Sequence, residues 1–190
     1  VINTYKQDLI MKYGIVKAEK SESKIVDSFN QDGTKITQTQ STMVSYKYGD
    51  RDGYHGILTG VEETQHGITR TTDFFGNWTE TEVKNTYRQD LIERHGIVRV
   101  ATSESSIVDS FNQDGTEVIQ IKSAIVRYIY NGDIHRPRER PGRGIRDRER
   151  VYEVTEATED DYHGILIGVR EIQHGITRTT DFFGNWTETE

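Results

Sequence analysis

Five of the six histidines stand directly before a Gly-Ile pair, at His55, His66, His95, His163 and His174. Neutral imidazole suits zinc, copper, iron and nickel, so such a row is a transition-metal ligand set in principle. A parallel stretch of the chain argues against that use. There Tyr13-Gly14-Ile15 stands against His95-Gly96-Ile97, so the motif survives loss of the ligand. Glycine supplies the positive φ or bulge, isoleucine begins a strand, and each of these tripeptides is read as a strand entrance. Neither a metal nor a cofactor is expected.

Two acidic turns, Asp27-Ser28-Phe29-Asn30-Gln31-Asp32-Gly33 and Asp50-Arg51-Asp52-Gly53, have the oxygen density of calcium loops. An EF-hand loop with Gly33 as its sixth residue would need Glu at its twelfth, where Thr39 stands. A plain turn is the expectation. Asn77-Trp78-Thr79 and Asn185-Trp186-Thr187 are N-glycosylation sequons, which makes Asn77 and Asn185 candidate acceptors. Trp78 with Phe75 and Asn77, and Trp186 with Phe183 and Asn185, also have the residue types of a sugar-stacking platform. The competing use of these aromatics is a small core or a contact between units.

Seven arginines lie between Arg136 and Arg150, interleaved with Glu139, Asp147 and Glu149. Against a net charge of -7 for the whole chain, this basic run reads as an arm. Arg136, Arg138, Arg140, Arg143 and Arg146 are expected to pair with acidic faces of neighbouring copies rather than with nucleic acid. The chain contains no G-x-S-x-G elbow, phosphate loop or H-E-x-x-H. Catalysis is not expected.

The elements that must position these residues are written twice. Gln65–Glu82 recurs unchanged as Gln173–Glu190, and Ile25–Thr34 as Ile107–Thr116. Two units follow, 1–82 and 83–190, the second longer by 26 residues (108 against 82) inserted at about 131–160. The tail of that insertion, Arg150–Thr155, alternates well enough for an extra strand. Only 33% of residues are apolar and mean hydropathy is -0.75, so each unit is expected to lean on its neighbour. No cysteine is present and no apolar run approaches the roughly 20 residues that span a bilayer. The start at Val1 without methionine is read as the mark of a trimmed or processed segment.

Aspartate–glycine turns and Thr-rich runs predict an all-β fold of two similar, mainly antiparallel units. Ile25–Phe29 and Lys35–Gln40 flank Asn30–Gly33 as one hairpin; Ile68–Phe74 and Trp78–Val83 flank Phe75–Asn77 as another. Thr4–Gly14 has helical spacing of Tyr5, Leu9 and Ile10, but its β-rich surroundings favour a strand.

The junction Glu82/Val83 would be reproduced if a second molecule followed Glu190, because Val1-Ile2-Asn3-Thr4-Tyr5 answers to Val83-Lys84-Asn85-Thr86-Tyr87. Val1, Ile2 and Tyr5 of one copy are therefore expected to meet Trp186, Thr187, Thr189 and Glu190 of another. The duplicated Thr-rich units and self-continuing ends resemble protomers of extracellular microbial or algal surface fibrils, helical fibrils from environmental water among them. That resemblance implies a homopolymeric filament outside the cell. The stretch Thr69–Thr81 is also similar to the YD repeats of secreted bacterial shell proteins, without their Tyr-Asp dipeptide or spacing. The rival expectation is a tandem carbohydrate-binding protein with glycan partners and one site per copy.

Overall fold

The computed structural model describes residues 1–26, 28, 30–51, 53–131 and 164–190. The expected arginine arm (Arg136, Arg138, Arg140, Arg143 and Arg146), the strand expected at Arg150–Thr155, and His163 lie outside the described residues. The chain is all-β, in three antiparallel sheets. Its elements are β1 (Ile2–Tyr5), α1 (Gln7–Tyr13), β2 (Ala18–Ser23), β3 (Lys35–Gln40), β4 (Thr42–Arg51), β5 (Tyr54–Gln65), β6 (Gly67–Thr72) and β7 (Trp78–Tyr87). They continue as α2 (Gln89–His95), β8 (Val100–Phe111), β9 (Glu117–Lys122), β10 (Ala124–Tyr130), β11 (Leu166–Gln173), β12 (Ile176–Thr180) and β13 (Trp186–Thr189).

The sheets run β1-β2-β4-β5, β11-β10-β8-β7-β6-β3 and β13-β12-β9. The six-stranded sheet crosses from one sequence copy to the other. Its seam is β7, which runs through Glu82 and Val83 without interruption. The outer half of β7 pairs with β6, from Gly67 opposite Val83 to Thr72 opposite Trp78. On its other side all of β7 pairs with β8, from Trp78 opposite Phe111 to Tyr87 opposite Val100.

The predicted hairpin around Phe75-Gly76-Asn77 is present as β6 and β7. Asp73 folds its turn: one carboxylate oxygen accepts the backbone N–H groups of Phe75 and Asn77, both at 2.9 Å. Gly76 takes φ 86°, a left-handed conformation that a Cβ disfavours.

The turn predicted at Asn30–Gly33 also forms, but it is a corner, not a hairpin. In the second copy its arms enter different sheets, β8 beside β7 and β9 beside β12. Ser110 Oγ stands where ladder bonds would be, donating to Val118 O at 2.9 Å and accepting from Val118 N at 3.0 Å.

Two other expectations are corrected. Thr4–Gly14 is not one strand: β1 gives way to α1, whose end is capped by Gly14 at φ 68°, and Gly96 at φ 65° does the same for α2. Those two Gly-Ile pairs end helices. Gly67 and Gly175 do stand at strand entrances, where a Cβ on Gly67 would fall on Thr42 Oγ1.

The core is thin. Among the described residues its buried apolar side chains are Leu9, Val61, Leu91, Ile92 and Tyr130. Polar ties repeated in both copies carry much of the rest. Tyr48 Oη donates to Ala18 O at 2.8 Å as Tyr130 Oη donates to Val100 O at 2.7 Å. Gln65 Nε2 donates to Ser41 O as Gln173 Nε2 donates to Ser123 O, both at 2.8 Å. No helix among the described residues is long and apolar enough to cross a membrane.

Candidate functional site

The described histidines of the Gly-Ile row stand apart from one another. His55 stacks on Tyr13 at 3.8 Å between ring centroids and lies 3.0 Å from Asp50. His66 Nδ1 is 3.0 Å from Glu63 Oε1, His174 Nδ1 is 3.5 Å from Glu171, and His95 sits in the last turn of α2. No group of three or more His, Cys, Asp or Glu that could hold a metal occurs among the described residues.

In the first acidic turn the Asp32 carboxylate is used internally. Asp32 Oδ1 accepts from Thr34 N at 2.9 Å and Thr34 Oγ1 at 2.7 Å, and these bonds hold its carboxyl below the usual aspartate range. Both sequon carboxamides are tied to the aspartate of their own turn: Asn77 Nδ2 donates to Asp73 Oδ2 and Asn185 Nδ2 to Asp181 Oδ2, each at 2.8 Å. The Asn185 amide, helped by the backbone of Asn185, Phe183 and Gly184, keeps the Asp181 carboxyl below its ordinary range.

What the chain does assemble is a joint around Glu82/Val83, built from residues on both sides. On one side Trp78 stacks with Phe111, ring centroids 6.3 Å apart, while the Arg70 guanidinium lies 3.9 Å over the indole. Beyond it, Gln113 N donates to Asn77 Oδ1 at 2.9 Å and Gln113 Nε2 donates to the Phe75 carbonyl. On the other side α2 lies against β5. Gln89 Nε2 donates to Val61 O and Asn85 Nδ2 to Glu63 Oε2, both at 2.9 Å. The Glu63 side chain is buried, held between Asn85 and His66.

Ile92 is fully buried in α2, which stabilises the joint by about 1.5–3 kcal/mol. Tyr87 is half-enclosed there. Burial first, then the charge of Glu63 and the neighbouring Tyr46, push its hydroxyl up to about 12.

Several of these groups have a described twin that is more exposed. Val61 is 3% exposed, and its twin Val169 is 56% exposed, with Leu166, Ile167 and Ile172 exposed beside it. Ile92 is answered by the part-exposed Ile10, and half-buried Val83 and Tyr87 by exposed Val1 and Tyr5. Trp78 is half-buried, whereas Trp186 is 60% exposed. The residues expected at the ends, Val1, Ile2, Tyr5, Trp186, Thr187, Thr189 and Glu190, are all exposed, on or just before β1 and on or just beyond β13.

Sequence reasoning missed the deeper half of the joint, Asn85, Gln89, Ile92, Val61, Glu63 and Gln113, and with it their twins Asn3, Gln7, Ile10, Val169, Glu171 and Gln31. A signal for three of them was there. Asn3, Gln7 and Ile10 equal Asn85, Gln89 and Ile92, while the adjacent Met11, Lys12 and Tyr13 become Glu93, Arg94 and His95.

No protein-family model, curated protein or solved structure matches this chain.

Proposed function

We propose that this protein is the structural subunit of an extracellular filament, assembled head to tail through two unlike faces. One face carries Val1, Ile2, Tyr5 and α1; the other carries β11 and Trp186, Thr187, Thr189 and Glu190. The observation that carries the reading is the paired environment of one 18-residue sequence, whose last strand is covered by the following copy at Trp78–Glu82 and exposed at Trp186–Glu190. A contact between unlike faces that does not close on itself generates an open helical fibre. An added strand supplies backbone hydrogen bonds for it. The extracellular setting belongs to the same reading, through the resemblance to surface fibrils.

The residues that hydrogen-bond on the α2 side of the internal joint recur at the outer faces: Asn3 and Gln7 on one, Val169 and Glu171 on the other. Contact between copies would bury Val169 and Ile10 together, a gain of roughly 25 cal/mol for each Å² of apolar surface removed from water.

Electron microscopy and light scattering of concentrated protein test this reading. Filaments with a repeat of one chain are expected. A chain that keeps its fold and stays monomeric at millimolar concentration sinks it.

Exposed Trp186 and Phe183 favour a second reading, a glycan-binding module. It requires binding that disappears in Trp186→Ala while assembly persists. Against it, the identical Trp78 has its ring engaged by Phe111 and Arg70.

A further inference from the structure

We propose that the contact between copies is made by strand formation: Lys24–Val26 of one molecule adds to the outer edge of β13 of another. In that joint β13 runs on into the neighbour's β1, and the neighbour's Gln31 closes its far end. The inference rests on the head-to-tail reading and specifies its partner segment and register.

The strand order supplies the first argument. The β1-β2-β4-β5 sheet ends at β1, and the β13-β12-β9 sheet ends at β13. Set β13 and a neighbour's β1 end to end as one strand, and the combined order is β5-β4-β2-(β1/β13)-β12-β9. That is the order of the six-stranded sheet, β11-β10-β8-β7-β6-β3, element for twin element. The chain thus contains a complete example of the joint, lacking only at its outer faces what a neighbour would add.

The second argument concerns one sequence in two states. Ile107–Phe111 is strand, within β8, and faces Trp78–Thr81: Ile107 opposite Thr81, Ser110 opposite Thr79, Phe111 opposite Trp78. The same residues in the first copy begin at Ile25, and Lys24, Ile25 and Val26 belong to no strand. Yet their inner anchors are the same. Ile25 N donates to Gln38 Oε1 at 2.7 Å, as Ile107 N donates to Gln120 Oε1 at 2.8 Å.

Ser28 Oγ donates to Ile36 O at 2.7 Å and accepts from Ile36 N at 2.8 Å, repeating the Ser110–Val118 exchange. Ile25 and Ser28 are thus already anchored as their twins are; what differs is the strand outside them. Val26 is 92% exposed where Val108 is 47%. Little ordering entropy then opposes docking, which is how a preformed edge gains affinity. An edge of this kind is a template for another chain.

The third argument is the register. Transferring Thr81–Ile107 and Glu82–Ser106 places Thr189 opposite a neighbour's Ile25 and Glu190 opposite its Lys24. Gln31, twin of Gln113, then reaches Asn185 and the Phe183 carbonyl as Gln113 reaches Asn77 and Phe75. The lysine is informative. Ser106 stands at the covalent joint, and Lys24, its twin, brings a cation to Glu190.

The test mixes two single-cysteine variants, Ile25→Cys and Thr189→Cys, in a chain with no cysteine of its own. A short thiol-to-thiol crosslinker is then added. Crosslinked heterodimer is expected from the mixture, several-fold above either variant alone. Thr81→Cys/Ile107→Cys in one chain is the positive control, closing internally, and Ile25→Cys with Thr187→Cys reports a slip of two residues. In the unmutated protein, amide exchange at Lys24–Val26 should slow about tenfold or more on assembly.

Filaments that form without this crosslink and without that protection, or with the slipped pair, overturn the strand proposal and leave head-to-tail assembly standing. Protein that never self-associates overturns the head-to-tail reading itself.

Discussion

The segment Gln65–Glu82 and its exact repeat Gln173–Glu190 make the same hairpin from the same residues, and only one of them is covered. In both, arginine pairs with glutamate across the strands, Arg70 with Glu80 at 2.9 Å and Arg178 with Glu188 at 2.6 Å. In both, that arginine lies over the tryptophan, 3.9 Å from the Trp78 centroid and 4.6 Å from Trp186. Local sequence therefore sets the hairpin, its turn and its cation–π contact. The following copy sets everything else: the Phe111 ring, the Gln113 bonds and the β8 ladder belong to the first hairpin alone. The difference between the two segments measures what one unit gives its neighbour.

The largest expected break in that comparison is at Ile92. Ile92→Ala should lower stability by about 2–4 kcal/mol in chemical denaturation, because it opens a cavity under α2 that the sheet cannot collapse into. Ile10→Ala, at the uncovered twin, should cost about 1 kcal/mol or less in the dispersed chain while weakening self-association. Equal costs at the two sites would mean that burial at the joint is not what separates the copies. Trp78→Ala against Trp186→Ala sharpens the same contrast, at about 2–3 kcal/mol for the stacked indole and under about 1 for the exposed one.

How much of this could be read from the sequence follows from which forces are local. The β class and the β6–β7 hairpin were legible because Asp73, Gly76 and the Thr-rich flanks state them within a short stretch. The helices were not. Leu9 and Ile10 suit either a strand or a short helix, and a seven-residue helix is stable only through its packing on another element.

The corner at Asn30–Gly33 was missed because its two arms separate through one serine hydroxyl, a choice made by Ile36 and its sheet. The joint was half legible. Its terminal residues follow from the phase of the repeat, whereas Val61, Glu63, Asn85 and Gln89 meet only once β5 is folded against α2. Ile25 and Val26 lie furthest from legibility, since the same letters are strand in one place and not in the other.

A smaller effect titrates. Tyr87 has its hydroxyl raised from 10.0 to about 12, so the folded joint holds the proton that the unfolded chain releases. The stabilising contribution is complete below pH 10 and is lost as pH climbs from 10 to 12. Stability should therefore fall across that window, and Tyr87→Phe should flatten the fall. A residual slope is expected from Tyr48, whose hydroxyl burial also raises. A decline of the same steepness in Tyr87→Phe would detach the alkaline transition from the joint.

The smallest effect separates the polar end of the joint from its apolar centre. Gln113 makes two bonds across the copies, to Asn77 and to the Phe75 carbonyl, both near the surface. Gln113→Ala should cost about 1 kcal/mol, the net worth of exposed hydrogen bonds that water partly replaces. Gln31→Ala should leave the dispersed chain's unfolding midpoint in place, because Gln31 would make those bonds only to another molecule's Asn185 and Phe183. Its effect belongs in the concentration dependence of assembly, shifted upward several-fold. A Gln31 variant that unfolds early yet assembles normally would mean that this glutamine serves its own corner, and the end of the joint would have to be sought elsewhere along β13.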